Sequence, residues 1–173
     1  MKTTSRTFLL DANVFIQAKN SYYALALCPR FWASLKGSHE AGHLYSIDHI
    51  KRELLLGKDD LASWAEQTLS PSFFHSTTDA AVMSQYRDIM TWVQDNTQFF
   101  DSAKSEFATA ADGWLVAYAK AKGHVVVTHE QLRPEAKNRV LIPNVCKEFG
   151  VDYTDTFQML KSLGVRFVWD AAP

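Results

Sequence analysis

The run Thr7-Phe8-Leu9-Leu10 is apolar and strand-forming, and it stops at Asp11, after which Ala12-Asn13-Val14-Phe15-Ile16 reads as a helix. A carboxylate therefore sits where a central strand should end, the edge at which open α/β sheets place their chemistry. Far downstream, Ala110-Ala111-Asp112-Gly113-Trp114-Leu115-Val116-Ala117 sets a second acid in an apolar, small-residue helix, followed by Gly123 and the strand His124-Val125-Val126-Val127-Thr128. Positions 108, 109, 115 and 116 are Ala, Thr, Leu and Val, so no cation lies one turn from Asp112 on its own face. A buried acid neutralises or finds a partner, and a bound cation is the simplest one.

With 173 residues, 47% of them hydrophobic and 13% aromatic, residues 1–173 can bury one full core and are expected to form a single domain. The formal net charge of -1 excludes attachment to nucleic acid by bulk charge, so phosphates would have to be met by a local patch or a metal. Cys28 and Cys146 stand in apolar surroundings without framework spacing and are expected to be reduced. The N-terminal residues hold no apolar stretch before a cleavage site, and no segment approaches the ~20 apolar residues of a bilayer span. A cytoplasmic location without a membrane partner is the expectation.

Spacing predicts a helix from Pro29 through Phe31, Trp32 and Leu35, stopped by Gly37, then a strand at Leu44-Tyr45-Ser46. Ser46 or Asp48 would cap a helix through Ile50 and Leu54 to Gly57. Helices over 61–69 and 79–96 read as a cap or insert. Beyond Val127 the pattern predicts a brief strand at Val140-Leu141-Ile142, a short helix after Pro143, a helix over 155–163 and a last strand at 165–169. Strands separated by helices imply a parallel sheet.

Each acid has an ordinary alternative. Asp11 could be the N-cap of the helix it precedes. Glu53, beside Lys51 and Arg52, could be a solvated helix residue, and Glu130, after Thr128-His129, a solvated loop residue. Together, Asp11, Glu53, Asp112 and Glu130 could converge into the hard-oxygen pocket that Mg²⁺ or Mn²⁺ prefers. His39, His43 and His49 lack the companions of a zinc site. No Gly-rich phosphate loop or Gly-x-Ser-x-Gly elbow is present, and neither cysteine has a neighbour that would activate it.

Phe8-Leu9-Leu10-Asp11-Ala12-Asn13-Val14-Phe15, Glu53, Ala111-Asp112-Gly113-Trp114-Leu115-Val116-Ala117-Tyr118-Ala119 and Val126-Val127-Thr128-His129-Glu130 together resemble the PIN domain, over most of the chain. The resemblance implies a three-layer α/β/α fold with a short central parallel sheet, here with additional helices. It also implies an acidic Mg²⁺ or Mn²⁺ site and endoribonuclease activity, often as the VapC-like toxin of a toxin-antitoxin pair. Asp11, Glu53 and Asp112 would then be catalytic, metal-holding acids. The fourth position usually carries Asp where this chain has Glu130, and Asp152 or Asp155 could substitute for it.

Hydrolysis in such a site would leave a 5′-phosphate and a 3′-hydroxyl. Asn13 and Thr128 could orient ligands or water from behind the acids, and Lys51, Arg52, Arg133, Lys137 and Arg139 are the candidates for meeting RNA phosphates. The expected partners are RNA and a cognate antitoxin protein, and two chains could pair. Two rivals are carried forward. One is a catalytically weak RNA- or protein-binding module; the other is a haloacid-dehalogenase-type phosphatase with Asp11 as nucleophile, which would want an acid where Asn13 stands.

Overall fold

Strand β1, Phe8–Leu10, is buried on both faces, and its apolar neighbours lie on both sides of it. It pairs in parallel with β2, Leu44–Ile47, and with β4, Val125–Val127. The two-residue strands β3, Phe74–His75, and β5, Tyr153–Thr154, extend the sheet outwards, giving the parallel order β3-β2-β1-β4-β5. Near-continuous apolar runs in the central strands are what a sheet covered on both faces requires. The molecule, a computed structural model describing residues 6–168, is a three-layer α/β/α arrangement around this sheet.

Helices α1, Ala12–Asn20, α2, Pro29–Glu40, α3, Asp48–Leu56, and α4, Asp60–Thr68, connect the strands on the β1-β2-β3 side. The return to β4 passes through α5, Ala80–Asp95, α6, Asp101–Thr109, and α7, Asp112–Lys122. The first group steps outwards from β1 through β2 to β3 and the second returns from β3 across the sheet to β4, so right-handed crossovers put the two groups on opposite faces. Helix α5 lies along α7, so the middle of the chain thickens one helical layer and is no detached cap. Gly123, at φ 70°, supplies the left-handed residue that closes α7, and β4 begins two residues later. Helices α8, Ile142–Phe149, and α9, Thr156–Ser162, follow β4 and β5.

Several boundaries differ from the sequence reading. Gly37 does not stop α2; the helix continues to Glu40, and the turn is made by Gly42 at φ 81°, whose N–H donates to the His39 carbonyl. Val140-Leu141-Ile142 is not a strand. Its apolar side chains are buried because Leu141 precedes α8 and accepts the N–H groups of Asn144 and Val145, with Pro143 in the first turn. Residues 165–168 form no strand either, since the Val165 N–H returns to the Leu160 carbonyl at the end of α9; Trp169 lies outside the described residues. Helix α3 starts at Asp48 with Ile47 in the cap position, and Ser46 instead donates its hydroxyl to the Leu10 carbonyl.

Candidate active site

The strand order reverses between β1 and β4, and Asp11 and Thr128-His129-Glu130 leave the sheet there, side by side at its carboxyl edge. Asp11 occupies the N-cap position of α1 but makes no capping bond with its side chain. Its Oδ2 instead accepts the Thr128 hydroxyl at 2.9 Å, and the residue is only 4% exposed. Thr128 Oγ1 in turn accepts the Glu130 N–H at 3.2 Å and the Asn13 Nδ2 at 3.4 Å. Asn13 Oδ1 accepts the His129 N–H at 3.2 Å, which ties the first turn of α1 to the segment after β4. Thr128 thus touches the Asp11 carboxylate directly, and Asn13 reaches it only through Thr128.

Asp112 is the first residue of α7; it does not lie within a continuous helix, because α6 ends at Thr109 and the chain turns at Ala110-Ala111. The N–H of Ala111 donates to Glu53 Oε1 at 3.3 Å, so α3 reaches the start of α7 through that carboxylate. Glu130 meets another helix start: its Oε2 accepts the N–H of Ile142, the first residue of α8, at 2.7 Å. Asp11, Asp112 and Glu130 therefore stand at the positive ends of α1, α7 and α8, which makes an acidic cluster tolerable at this rim.

Electrostatics ties all four acids together. Burial, with the charges of Glu130 and Glu53 adding to it, pushes Asp11 up to about 7 against the pull of the Thr128 hydrogen bond. Burial first, and then the charges of Asp11, Glu130 and Glu53, push Asp112 up to about 8, while Arg139 works the other way. Glu53 is also raised, mainly by desolvation. These are the shifts expected of carboxylates crowded together in a poorly solvated place.

A hard-oxygen donor set of this kind suits Mg²⁺ or Mn²⁺, and a dication would reverse the repulsion that raises Asp11 and Asp112. Among the described residues, however, no group of three or more His, Cys, Asp or Glu side chains already stands at ligand spacing. Glu130 is the most committed of the four: besides the Ile142 N–H, it accepts Arg139 Nη2 at 3.2 Å, and Arg139 lies 3.9 Å from Glu106 as well.

Of the two substitutes for Glu130, one lies at the far edge of the sheet and the other leaves β5 at the same carboxyl edge but is engaged locally. Asp152 precedes β5 and lines a hollow with Gly123 and His124 at the opposite, amino edge of the sheet. Asp155 follows β5 but caps α9, accepting the Gln158 N–H at 2.8 Å. The expected cations divide likewise. Arg133 and Lys137 are exposed on the loop after Glu130, which Gln98 and Phe100 clamp by hydrogen bonds to its carbonyls. Arg52 pairs with Asp48 on its own helix, Lys51 lies over the Phe74 ring, and Arg139 faces the acids Glu130 and Glu106.

Other expectations find simple places. His39 is buried, with Nδ1 at the Leu44 carbonyl and Nε2 at the Ser72 hydroxyl. Cys28 and Cys146 are free thiols, and burial pushes Cys146 up to about 12, unfit for nucleophilic work. Two features escaped the sequence reading. The His129 ring is held at Nε2 by Thr156 Oγ1 at 2.9 Å, and Trp114, two residues past Asp112, is stacked against both Tyr86 and His49. An aromatic two positions from a site acid was the only available signal for the stack.

No helix among the described residues is long and apolar enough to cross a membrane. No curated protein matches the sequence. Residues 8–167 match the model of a family described as a domain of unknown function, DUF4411, and the chain belongs to that family.

Proposed function

We propose that this protein is a divalent-metal-dependent endoribonuclease with a PIN-like site. The observation that carries the reading is geometric: Asp11, at the end of β1 where the strand order reverses, shares the Thr128 hydroxyl with the Glu130 backbone, while Glu53 holds the N–H of Ala111 beside Asp112, whose carboxyl is pushed up by burial and by the charges of the other three. Asp11 and Asp112 are the residues that would hold Mg²⁺ or Mn²⁺ most directly, with Glu53 and Glu130 completing the acidic wall. When bound, the metal would supply a Lewis acid for the phosphodiester and acidify a water.

The chain's own residues do the rest. Thr128 keeps Asp11 oriented, and Asn13 keeps Thr128 and the His129 backbone in register. Arg139 would have to exchange Glu130 and Glu106 for a phosphate, with Arg133 and Lys137 on the same loop guiding the strand. The toxin role and a cognate antitoxin partner follow from the PIN resemblance alone. They are tested by expressing the protein in cells with and without the product of any adjacent small reading frame.

A second reading, a catalytically weak binding module, is favoured by one observation: both oxygens of Glu130 are already engaged. Incubating the protein with structured and unstructured RNA, with Mn²⁺ or with chelator, beside Asp11→Asn and Asp112→Asn, separates the two. The nuclease reading expects Mn²⁺-dependent cleavage lost in both variants. Cleavage in chelator, or equal cleavage by the variants, would end it.

A further inference from the structure

Beside the acids runs a cleft of about 200 Å³ between α1 and α9. It begins one helical turn beyond Asn13, at Gln17, and its inner wall is the ring of His129, whose backbone N–H is the one that Asn13 holds. The floor is packed from beneath and beside: Tyr23 is stacked on Phe31 with ring centres 4.5 Å apart, its carbonyl accepts Trp32 Nε1 at 2.7 Å, and the Phe167 ring lies 6.0 Å from its own. Phe157 leans over the floor at 6.4 Å from the Tyr23 ring and 6.5 Å from His129. Tyr22, 85% exposed, and Phe157, 58% exposed, form the lips. Two large aromatic side chains left in water around one small opening offer flat apolar surface to a partner.

We propose that this cleft is a base-holding subsite, receiving one unpaired nucleobase of the RNA strand whose phosphodiester lies at the acids. The inference rests on the nuclease reading for its placement along the strand. The cleft is smaller than the roughly 300–1,000 Å³ of drug-sized ligand pockets, so it fits a single ring system. Aromatic walls accept any base by its π-face. Gln17 and Ser21 line the cleft; the Ser21 hydroxyl donates to the Gln17 carbonyl at 2.6 Å and keeps its lone pairs as acceptors, and the Gln17 amide can supply a donor to a base edge. Continuity decides for a base over an apolar protein side chain, because His129 belongs at once to the acid rim and to the cleft.

The test uses short single-stranded RNAs carrying 2-aminopurine, or an abasic residue, at each position in turn. Wild type is compared with Tyr22→Ala/Phe157→Ala, whose exposed positions leave the core intact, as a thermal melt would verify. Binding is read first, in chelator, by 2-aminopurine quenching. One position should be quenched in wild type and released in the variant, with affinity lower by about 5- to 150-fold, the usual worth of one stacked base. Mn²⁺-dependent cleavage should then fall at that same position when it is made abasic in wild type, and be insensitive to it in the variant.

Unchanged RNA affinity and an unchanged position profile in the variant would overturn the subsite. Absence of cleavage by wild type, with position-specific quenching retained, would sink the nuclease reading and leave the base site standing.

Discussion

The Thr128 hydroxyl donates to Asp11 Oδ2 at 2.9 Å across the junction of β1 and β4, and Thr128 Oγ1 itself accepts the N–H of Glu130 and the amide of Asn13. One hydroxyl thereby sets the positions of three site residues. Thr128→Val keeps the shape but removes the donor and the acceptor. The expected result is about a 10–100-fold loss of Mn²⁺-dependent activity, the usual cost of removing a partner that orients a metal ligand. Thr128→Ser should recover most of it, as measured by single-turnover cleavage.

Asp11 and Asp112, raised to about 7 and about 8, make the metal-free fold pH-sensitive. A carboxyl whose folded pKa lies above its unfolded value contributes stability that is fully present below the ordinary carboxylate range and is lost as pH rises through the folded value. Without metal, the melting temperature should therefore fall between about pH 4 and pH 8. Asp112→Asn should raise it by several degrees at pH 8 and change it little at pH 4. Mn²⁺ should stabilise wild type most at the alkaline end, and a melting series with and without Mn²⁺ checks both signs.

Gly113 sits where a Cβ would lie 3.0 Å from Tyr86 Cε2 and 3.1 Å from Phe107 Cε1. Neither ring can yield: Tyr86 is stacked on Trp114 with ring centres 3.6 Å apart, and Phe107 is buried. Gly→Ala within a helix ordinarily gains about 1 kcal/mol, whereas overpacking costs about 1–3 kcal/mol. Gly113→Ala should therefore destabilise by a net of about 1 kcal/mol, lowering the melting temperature by about 2–4 °C. A higher melting temperature would show that α5 and α7 can separate.

Arg133 and Lys137 are exposed on the loop that follows Glu130. If they meet RNA phosphates, removing each should lower the slope of log affinity against log salt by ~0.7, the single-strand value per neutralised phosphate. Arg133→Ala/Lys137→Ala should thus bind RNA more weakly at low salt and converge with wild type at high salt. Lys51→Ala should have little effect, because that ammonium group lies over Phe74 at the β3 edge.

Much of this organisation was legible in the chain. Leu9-Leu10-Asp11 announced a strand end because a parallel strand buried on both faces must be continuously apolar, and the crowding of Asp112 was foreshadowed because no cation answers it locally. Strands β3 and β5 were not legible, since two residues at a sheet edge carry no periodicity. Val140-Leu141-Ile142 misled because burial under a loop gives the same apolar signal as burial in a sheet. The Asp11 cap was plausible from sequence, yet Thr128, distant in the chain, outcompetes the local N–H groups for its side chain. The pairing of Arg139 with Glu130 depends on how the intervening loop folds back, and that is set by the contacts of Gln98 and Phe100 with the loop carbonyls.

The convergence of Asp11 and Asp112 on one divalent ion is tested most directly by anomalous diffraction from a crystal soaked in Mn²⁺. A manganese peak about 2.0–2.6 Å from carboxylate oxygens of both residues, absent in Asp112→Asn, is the predicted result. A manganese ion bound only elsewhere, or a peak that persists unchanged in the variant, would contradict it.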